Sequence, residues 1–190
     1  MILPIRAFGD AVLRKTCHNI DQGYPDLHEL IQNMYETMES ANGIGLAAPQ
    51  VGLDIRLFVV DLSPLAEDED YADIAEELKD FKKVFINAKI LEESGEEWKF
   101  NEGCLSIPDV REDVKRKETI LIEYYDENFV KHTDTFSDMR ARVIQHEYDH
   151  IEGILFTDHL SSLKKKLVKG KLVKISHGDV AVNYKMRFPK

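Results

Sequence analysis

The spacing of apolar residues changes several times along this chain, and each change predicts a different element. Residues 25–41 place Leu, Ile and Met at three- and four-residue intervals, which is the pattern of one buried helix face. Asn42–Gly43 then supplies a helix stop. Short apolar runs rich in branched and aromatic side chains predict strands. These runs are 55–60, 84–91, 119–125 and 129–136, the last two pairing across 126–128.

A second helical pattern covers residues 137–153, beginning at a serine suited to capping and ending at a glycine. Met139 and Val143 share one stripe of this helix with His146 and His150, so the two imidazoles point toward the apolar interior. We therefore predict an α+β fold in which mixed or antiparallel sheets pack around a central, metal-binding helix.

The chain becomes rich in lysine beyond residue 160. Lysine recurs from Lys164 to Lys174, and Gly170 predicts an interruption of the helical pattern there. Apolar residues then alternate from 180 to 188, which predicts a final strand. We treat 161–190 as a variable carboxyl-terminal segment.

Composition narrows the class of protein. The 190 residues are 43% hydrophobic and 32% charged, so we predict a single domain over 1–190. A net charge of −10 argues against general nucleic-acid binding.

Residues 61–83, centred on Glu67–Asp70, predict an acidic surface excursion with one helical turn near 74–78. The two cysteines, the lack of a signal-like amino terminus and the lack of long apolar runs predict a cytoplasmic protein with no membrane partner.

The strongest chemical signal is the segment Gln145–His150, which places Glu147 between two histidines four residues apart. Residues at this spacing share a helix face, so both rings can reach one ion. In this H-E-x-x-H arrangement two histidines bind a metal and the glutamate acts as general base on water. The alternative is a pair of histidines on a solvated helix face, and the apolar stripe argues against it.

Two histidines need at least one further protein ligand, and a catalytic site also keeps a position for water. Glu152, Asp158 and His159 follow the second histidine, but Glu152 comes too soon after it to share its face. Cys104, beside a glycine and upstream of a helix-breaking proline, is the better candidate. The alternative is a buried structural cysteine, which is how we interpret Cys17.

Three segments together resemble the peptide deformylase family, whose pattern is GxGxAAxQ, EGCLS and QHExDH in that order. They stand here as Gly43–Gln50, Glu102–Ser106 and Gln145–His150, with no mismatch at a defining position. The first segment alone is only a small-residue turn that lets substrate approach the backbone. The resemblance extends from the amino terminus to about residue 160. It implies a metal-dependent hydrolase that removes the formyl group from the N-terminal formyl-methionine of nascent polypeptides and releases formate.

The resemblance also implies a role for each matched residue. The implied ligands of one divalent metal ion are Cys104, His146 and His150. Iron(II) is the implied working ion, while Zn²⁺, Ni²⁺ and Co²⁺ also suit this donor set. The implied catalytic residues are Glu147 as general acid/base, Gln50 and the backbone N–H of Leu105 as oxyanion donors, and Gly45 as a holder of the substrate backbone.

A methionine side chain requires a flexible apolar slot. The candidate walls are Ile44, Leu105, Ile107, Val143 and the methylene stem of Arg111, with His146 at the base. The lysine-rich segment Lys164–Lys174 departs from the long basic helix with which the best-known bacterial form docks on the ribosome. It is a candidate for ribosome contact through phosphates, with a solvated helix face as the alternative.

Two carboxylates near the ligands are candidates for supporting roles. We predict that Asp149 orients a ligand ring or anchors its helix, with a surface carboxylate as the alternative. We predict that Glu102 braces the Cys104 loop through an ion pair with Arg140 or Arg142.

Three other functions use the same residue types. A metal-dependent endopeptidase is disfavoured by a cysteine ligand and by the lack of a long substrate-cleft domain. A cysteine hydrolase with Cys104 as nucleophile would leave Glu147 without a role. A structural zinc site requires a fourth ligand, and no second nearby cysteine or histidine offers one.

Overall fold

The computed structural model describes residues 1–189, and within them the chain forms seven strands and four α-helices. The strands are β1 (Ile5–Arg6), β2 (Gly45–Ala47), β3 (Leu57–Asp61), β4 (Lys82–Cys104), β5 (Ile107–Tyr125), β6 (Lys131–Ser137) and β7 (Met186–Arg187). The helices are α1 (Leu27–Ser40), α2 (Ala75–Leu78), α3 (Asp138–Ile151) and α4 (Ser162–Ser176).

The main sheet has five antiparallel strands in the order β2-β3-β4-β5-β6. A separate two-stranded parallel sheet joins β1 to β7, so it ties the two ends of the chain together. Helix α3 packs against β2, β3 and β5, and its apolar residues Met139, Val143 and Ile144 belong to the same buried cluster as Phe58 and Phe85. The predicted α+β arrangement around a central helix is confirmed.

Strands β4 and β5 extend much further than the predicted runs 84–91 and 119–125. They pair from Ile86↔Tyr125 to Cys104↔Ile107. The added length is charged, and register shifts along the pair break the period of two that identifies a strand in sequence. The extra length places Cys104, the predicted third ligand, at the end of β4.

The predicted break at Gly170 is wrong, because α4 continues through it to Ser176. A glycine within a helix is unfavourable by only about 1 kcal/mol relative to alanine. Burial of Val168 and Ile175 on the inner face of α4 offsets that term.

The predicted strand over 180–188 is mostly absent, since only Met186–Arg187 pairs with a neighbour. The alternation is nevertheless real. Even-numbered residues from 180 to 188 are partly buried, and the odd-numbered ones are exposed. An extended segment that lies along a surface shows the same period as a strand without needing a ladder of hydrogen bonds.

The acidic segment after β3 folds into two 3₁₀ turns and α2, with the helical turn near 74–78 where it was predicted and Leu78 fully buried beneath it. Helix α1 begins two residues later than predicted, because Asp26 adopts a left-handed conformation (φ 53°). Across residues 1–189, no helix combines the length and apolar character that crossing a bilayer requires.

Candidate metal centre

The three predicted ligands converge. The Sγ of Cys104 and one ring nitrogen each of His146 and His150 all lie within 4.8 Å of one another. The separation between Cys104 Sγ and His150 Nε2 is 3.3 Å. Two ligands of one tetrahedral ion lie about 3.5 Å apart when the metal–ligand bonds are about 2.0–2.3 Å long. The donor set and its spacing therefore fit a divalent transition metal.

The pKa values of two candidate ligands in this cluster are shifted, in opposite directions. Burial raises the pKa of the Cys104 thiol, but His150 and His146 outweigh burial and lower this pKa to about 5. Cys104 is then a thiolate at neutral pH, which is the form that binds metals. Burial lowers the pKa of His146, whereas Cys104 and Glu102 raise it, and the net direction is upward. This ring must therefore release a proton when it binds a metal.

Of the carboxylates that residues 1–189 place beside the cluster, Glu147 is the one not engaged elsewhere. Its side chain is only 4% exposed, and its Oε2 has no hydrogen-bond partner among residues 1–189. Burial raises the pKa of Glu147 to about 7. A side chain at Gly45 would overlap this carboxylate, so the glycine is what lets Glu147 occupy its position at the edge of β2.

Glu102 supports the cluster through hydrogen bonds to two arginines and a contact with His146. Its Oε1 accepts hydrogen bonds from Arg116 Nε (2.7 Å) and Arg142 Nη1 (2.9 Å). Its Oε2 accepts from Arg116 Nη2 (3.0 Å) and lies 3.0 Å from His146 Nδ1. The carboxylate therefore orients the ring of a candidate ligand, in the arrangement that is common behind metal-bound histidine.

The predicted ion pair of Glu102 is found with Arg142, whereas Arg140 bonds Asp138 instead. Arg116 was missed by the sequence analysis. It lies on the unpredicted part of β5 among other charged residues, so only the pairing of β4 with β5 brings it to Glu102.

Asp149 accepts a hydrogen bond from Arg116 Nη1 at 2.8 Å, and lies 2.8 Å from His159 Nε2. It anchors α3 to β5 through Arg116, and the ring that it contacts is not one of the three predicted ligands. The other ligand candidates also lie elsewhere, because Glu152 pairs with Arg56 and Asp158 pairs with Arg14.

Gln50 presents its amide nitrogen to the cluster from the 3₁₀ turn Ala48–Val51. Its Oε1 accepts from the Ala47 N–H at 2.8 Å, which fixes the orientation of the amide. Its Nε2 then lies 3.5 Å from Cys104 Sγ and 3.3 Å from Ser106 Oγ. Cys17, by contrast, is buried away from the site as predicted, and burial raises its pKa to about 11.

A cavity of about 900 Å³ opens beside the ligands. All of the predicted pocket residues line it, namely Ile44, Leu105, Ile107, Arg111, Val143 and His146. The sequence analysis missed one wall, which is formed by Ala181–Tyr184 of the carboxyl-terminal segment. The alternation over 180–188 was the only sequence signal that this segment packs against the body of the protein.

Comparison with known proteins identifies the family. The model of the polypeptide deformylase family matches residues 2–166. This chain belongs to that family. It is 63% identical to the peptide deformylase of Christiangramia forsetii over 190 residues, covering all of this chain and 97% of the relative. It is 61% identical to the Flavobacterium johnsoniae enzyme, covering 99% and 96% of the two chains.

The fold agrees with that of a solved family member. The crystal structure of a peptide deformylase from Legionella pneumophila superposes with a TM-score of 0.79 at 34% identity, covering 94% of this chain and 98% of that one. The expectation of a deformylase is confirmed, and the chain is a metal-dependent hydrolase of formylated nascent peptides. The endopeptidase, cysteine hydrolase and structural zinc alternatives are set aside.

Proposed function

We propose that this polypeptide deformylase uses Glu147 as its general acid/base and Cys104, His146 and His150 as its metal ligands. The observation that carries the proposal is the buried Glu147 carboxylate, which has a free oxygen next to the three convergent donors. A divalent ion bound there supplies Lewis acidity, which polarises a carbonyl and acidifies water.

The side chains of the site account for the remaining requirements of amide hydrolysis. Glu147 takes a proton from the attacking water and delivers it to the departing amine, a role suited to a carboxyl whose pKa burial raises to about 7. Gln50 Nε2 and the Leu105 N–H stabilise the negative charge that develops on the formyl oxygen. Gly45 leaves room for both Glu147 and the substrate backbone.

The peptide is proposed to lie extended along β2. This strand is at an edge of the main sheet, so a substrate can add to it through main-chain hydrogen bonds that do not depend on sequence. The methionine side chain then enters the cavity between Ile44, Ile107 and Val143, with the stem of Arg111 beside it. Broad tolerance beyond the first residue follows.

We also propose that iron(II) is the native ion and that the enzyme works in the cytoplasm as one domain over 1–190. A thiolate and two imidazoles suit iron(II), as they suit Zn²⁺, Ni²⁺ and Co²⁺.

A free thiol ligand is best preserved in a reducing compartment, and both cysteines are free. The nascent formylated chain, made in the cytoplasm, is the corresponding substrate.

The deciding experiment measures formate release from a formyl-Met tripeptide by protein purified without oxygen, with its metal content determined. We expect rapid release that a chelator abolishes and that added iron(II) restores, with iron as the co-purified metal. An acetyl-Met tripeptide is the matched control and should not be cleaved at a comparable rate. Release that persists in chelator would contradict the metal role, and zinc as the co-purified ion would contradict iron.

Ribosome contact is proposed through the outer face of α4. Lys165, Lys166 and Lys169 are exposed, and α4 is uninterrupted, so the charges form one continuous surface. We expect cosedimentation with ribosomes at low salt, weakening as salt rises because phosphate contacts release counterions. Replacing these three lysines with glutamine should reduce binding and flatten the salt dependence, while formate release stays unchanged. No cosedimentation of the unaltered protein at low salt would contradict docking.

A further inference from the structure

The turn between β4 and β5 is held from outside by both ends of the chain. It consists of Leu105 and Ser106, since Cys104 and Ile107 are the last paired residues of the two strands. The Ser106 carbonyl accepts a hydrogen bond from the Phe8 N–H at 2.8 Å. The Leu105 carbonyl accepts one from the Tyr184 hydroxyl, also at 2.8 Å. Each carbonyl of a two-residue turn therefore has a donor that comes from a distant segment.

The segment that carries Tyr184 is itself fastened to the amino terminus. Ile5 N–H donates to the Lys185 carbonyl at 2.8 Å, and Ala7 N–H donates to the Arg187 carbonyl at 2.9 Å. The Tyr184 ring is partly buried and packs against a buried core cluster, to which Leu105 also packs. Tyr184 thus lies directly beside an anchored stretch of backbone, with its ring held in place.

The turn is also the part of the site where small shifts matter most. Cys104 precedes it and is a metal ligand, while Leu105 supplies the N–H that we assign to the formyl oxygen. The Leu105 N–H belongs to the peptide unit before the Leu105 Cα. The Leu105 carbonyl, which accepts the bond from Tyr184, belongs to the unit after it. Because Cys104 pairs with Ile107 and closes the turn, fixing the second unit leaves the first little freedom to rotate about the Leu105 Cα.

We infer that Tyr184 is a positioning residue for deformylation. Its hydroxyl fixes the Leu105 carbonyl and so aims the Leu105 N–H at the place where charge develops on the formyl oxygen. The inference rests on the proposed function, because it depends on the role of Leu105 in that proposal. It gives the carboxyl-terminal segment, which lies beyond the residues that the family model matches, a part in the reaction.

The test is Tyr184→Phe, which removes the hydroxyl and keeps the ring. We expect kcat for formyl-Met peptide to fall about 10-fold with KM within about 2-fold, because the oxyanion interaction forms mainly in the transition state. Amide hydrogen exchange of the segment around Leu105 should become faster, and metal content should stay unchanged. The matched control is Tyr124→Phe, since the Tyr124 hydroxyl donates an equally short bond (2.8 Å) to Asp134 away from the cavity. The control should keep its kcat.

Two results would overturn the inference. One is an unchanged kcat and unchanged exchange near Leu105 in Tyr184→Phe. The other is an equal fall of kcat in both variants, which would reveal a general loss of stability. Hydrogen exchange is measured without turnover, so it shows whether the Tyr184 hydroxyl restrains the turn even if the unaltered protein releases no formate. Absence of formate release from the unaltered protein would contradict the proposed function and not the restraint of the turn by Tyr184.

Discussion

Replacing Glu147 with glutamine is expected to lower kcat for formate release by roughly 10²- to 10⁴-fold, which is the usual contribution of a positioned general acid/base. Glutamine has nearly the same shape, so the Gly45 gap that accommodates the carboxylate stays filled. It cannot take up and return a proton. The three ligands are untouched, so metal content should remain that of the unaltered protein. Stopped-time formate assays together with metal analysis measure both quantities.

The matched control for Glu147→Gln is Glu152→Gln. Glu152 follows α3 as its cap, and its carboxylate pairs with Arg56 outside the cavity. This variant loses a carboxylate beside the same helix and should keep kcat within a few-fold. A Glu147→Gln protein that retained metal and nearly full activity would exclude Glu147 as the proton carrier.

Replacing Glu102 with glutamine is expected to destabilise the fold by about 3–5 kcal/mol, because it removes the anion from a buried ion pair and leaves the opposite charge behind. The side chains of Glu102, Arg116 and Arg142 are all at most 5% exposed, so water cannot replace the lost charge. Metal affinity should also fall about 10- to 100-fold, since His146 loses the carboxylate that orients its ring. Denaturant unfolding and competitive metal titration measure the two effects.

Glu112→Gln is the control for this change. Glu112 lies opposite Glu102 in the β4–β5 pairing, but its partner Lys164 is 36% exposed. An ion pair that is accessible to water contributes about 0–1 kcal/mol, so we expect a small change in stability and no change in metal affinity. If Glu102→Gln proved as mild as Glu112→Gln, the network behind the metal centre would not be a main source of stability.

The predicted elements were recovered best where burial leaves a pattern of apolar residues. Helices α1 and α3 lie close to their predicted positions because burial of one face imposes a period on the sequence. Strand β3 is buried on both faces and is visible as a continuous apolar run, and β6 also lies close to its predicted position. In the added part of β5 burial alternates from Val110 to Arg116, but the inward positions include the charged residues Glu112 and Arg116, so hydrophobicity does not show the period. Both strands form there because backbone groups pair across the β4–β5 hairpin, and that pairing is not visible in the side chains of either strand alone.

The same distinction explains Gly170 and Arg116. A glycine in a lysine-rich segment predicts a helix break when only its neighbours in sequence are considered. Contacts on the inner face of α4 outweigh the low helix propensity of this glycine. Arg116 is one of many charged residues on β5. Its role depends on which residue lies across the sheet, and it meets Glu102 and Asp149 only after β4, β5 and α3 have assembled.

The sequence by itself determined the chemistry of this protein. The sequence predicts metal ligands and a general base from two histidines at helical spacing about a glutamate and from a cysteine beside a glycine. A small-residue turn predicts room for a substrate. These predictions are possible because they depend on residue type and local spacing. Only the tertiary structure decided how those groups are held. Residues far apart in the chain are joined in the Glu102–Arg116–Asp149 network and in the contact of Tyr184 with Leu105. The burial that raises the pKa of Glu147 likewise depends on distant segments. Such contacts arise from packing of the whole fold and leave no local pattern in the sequence.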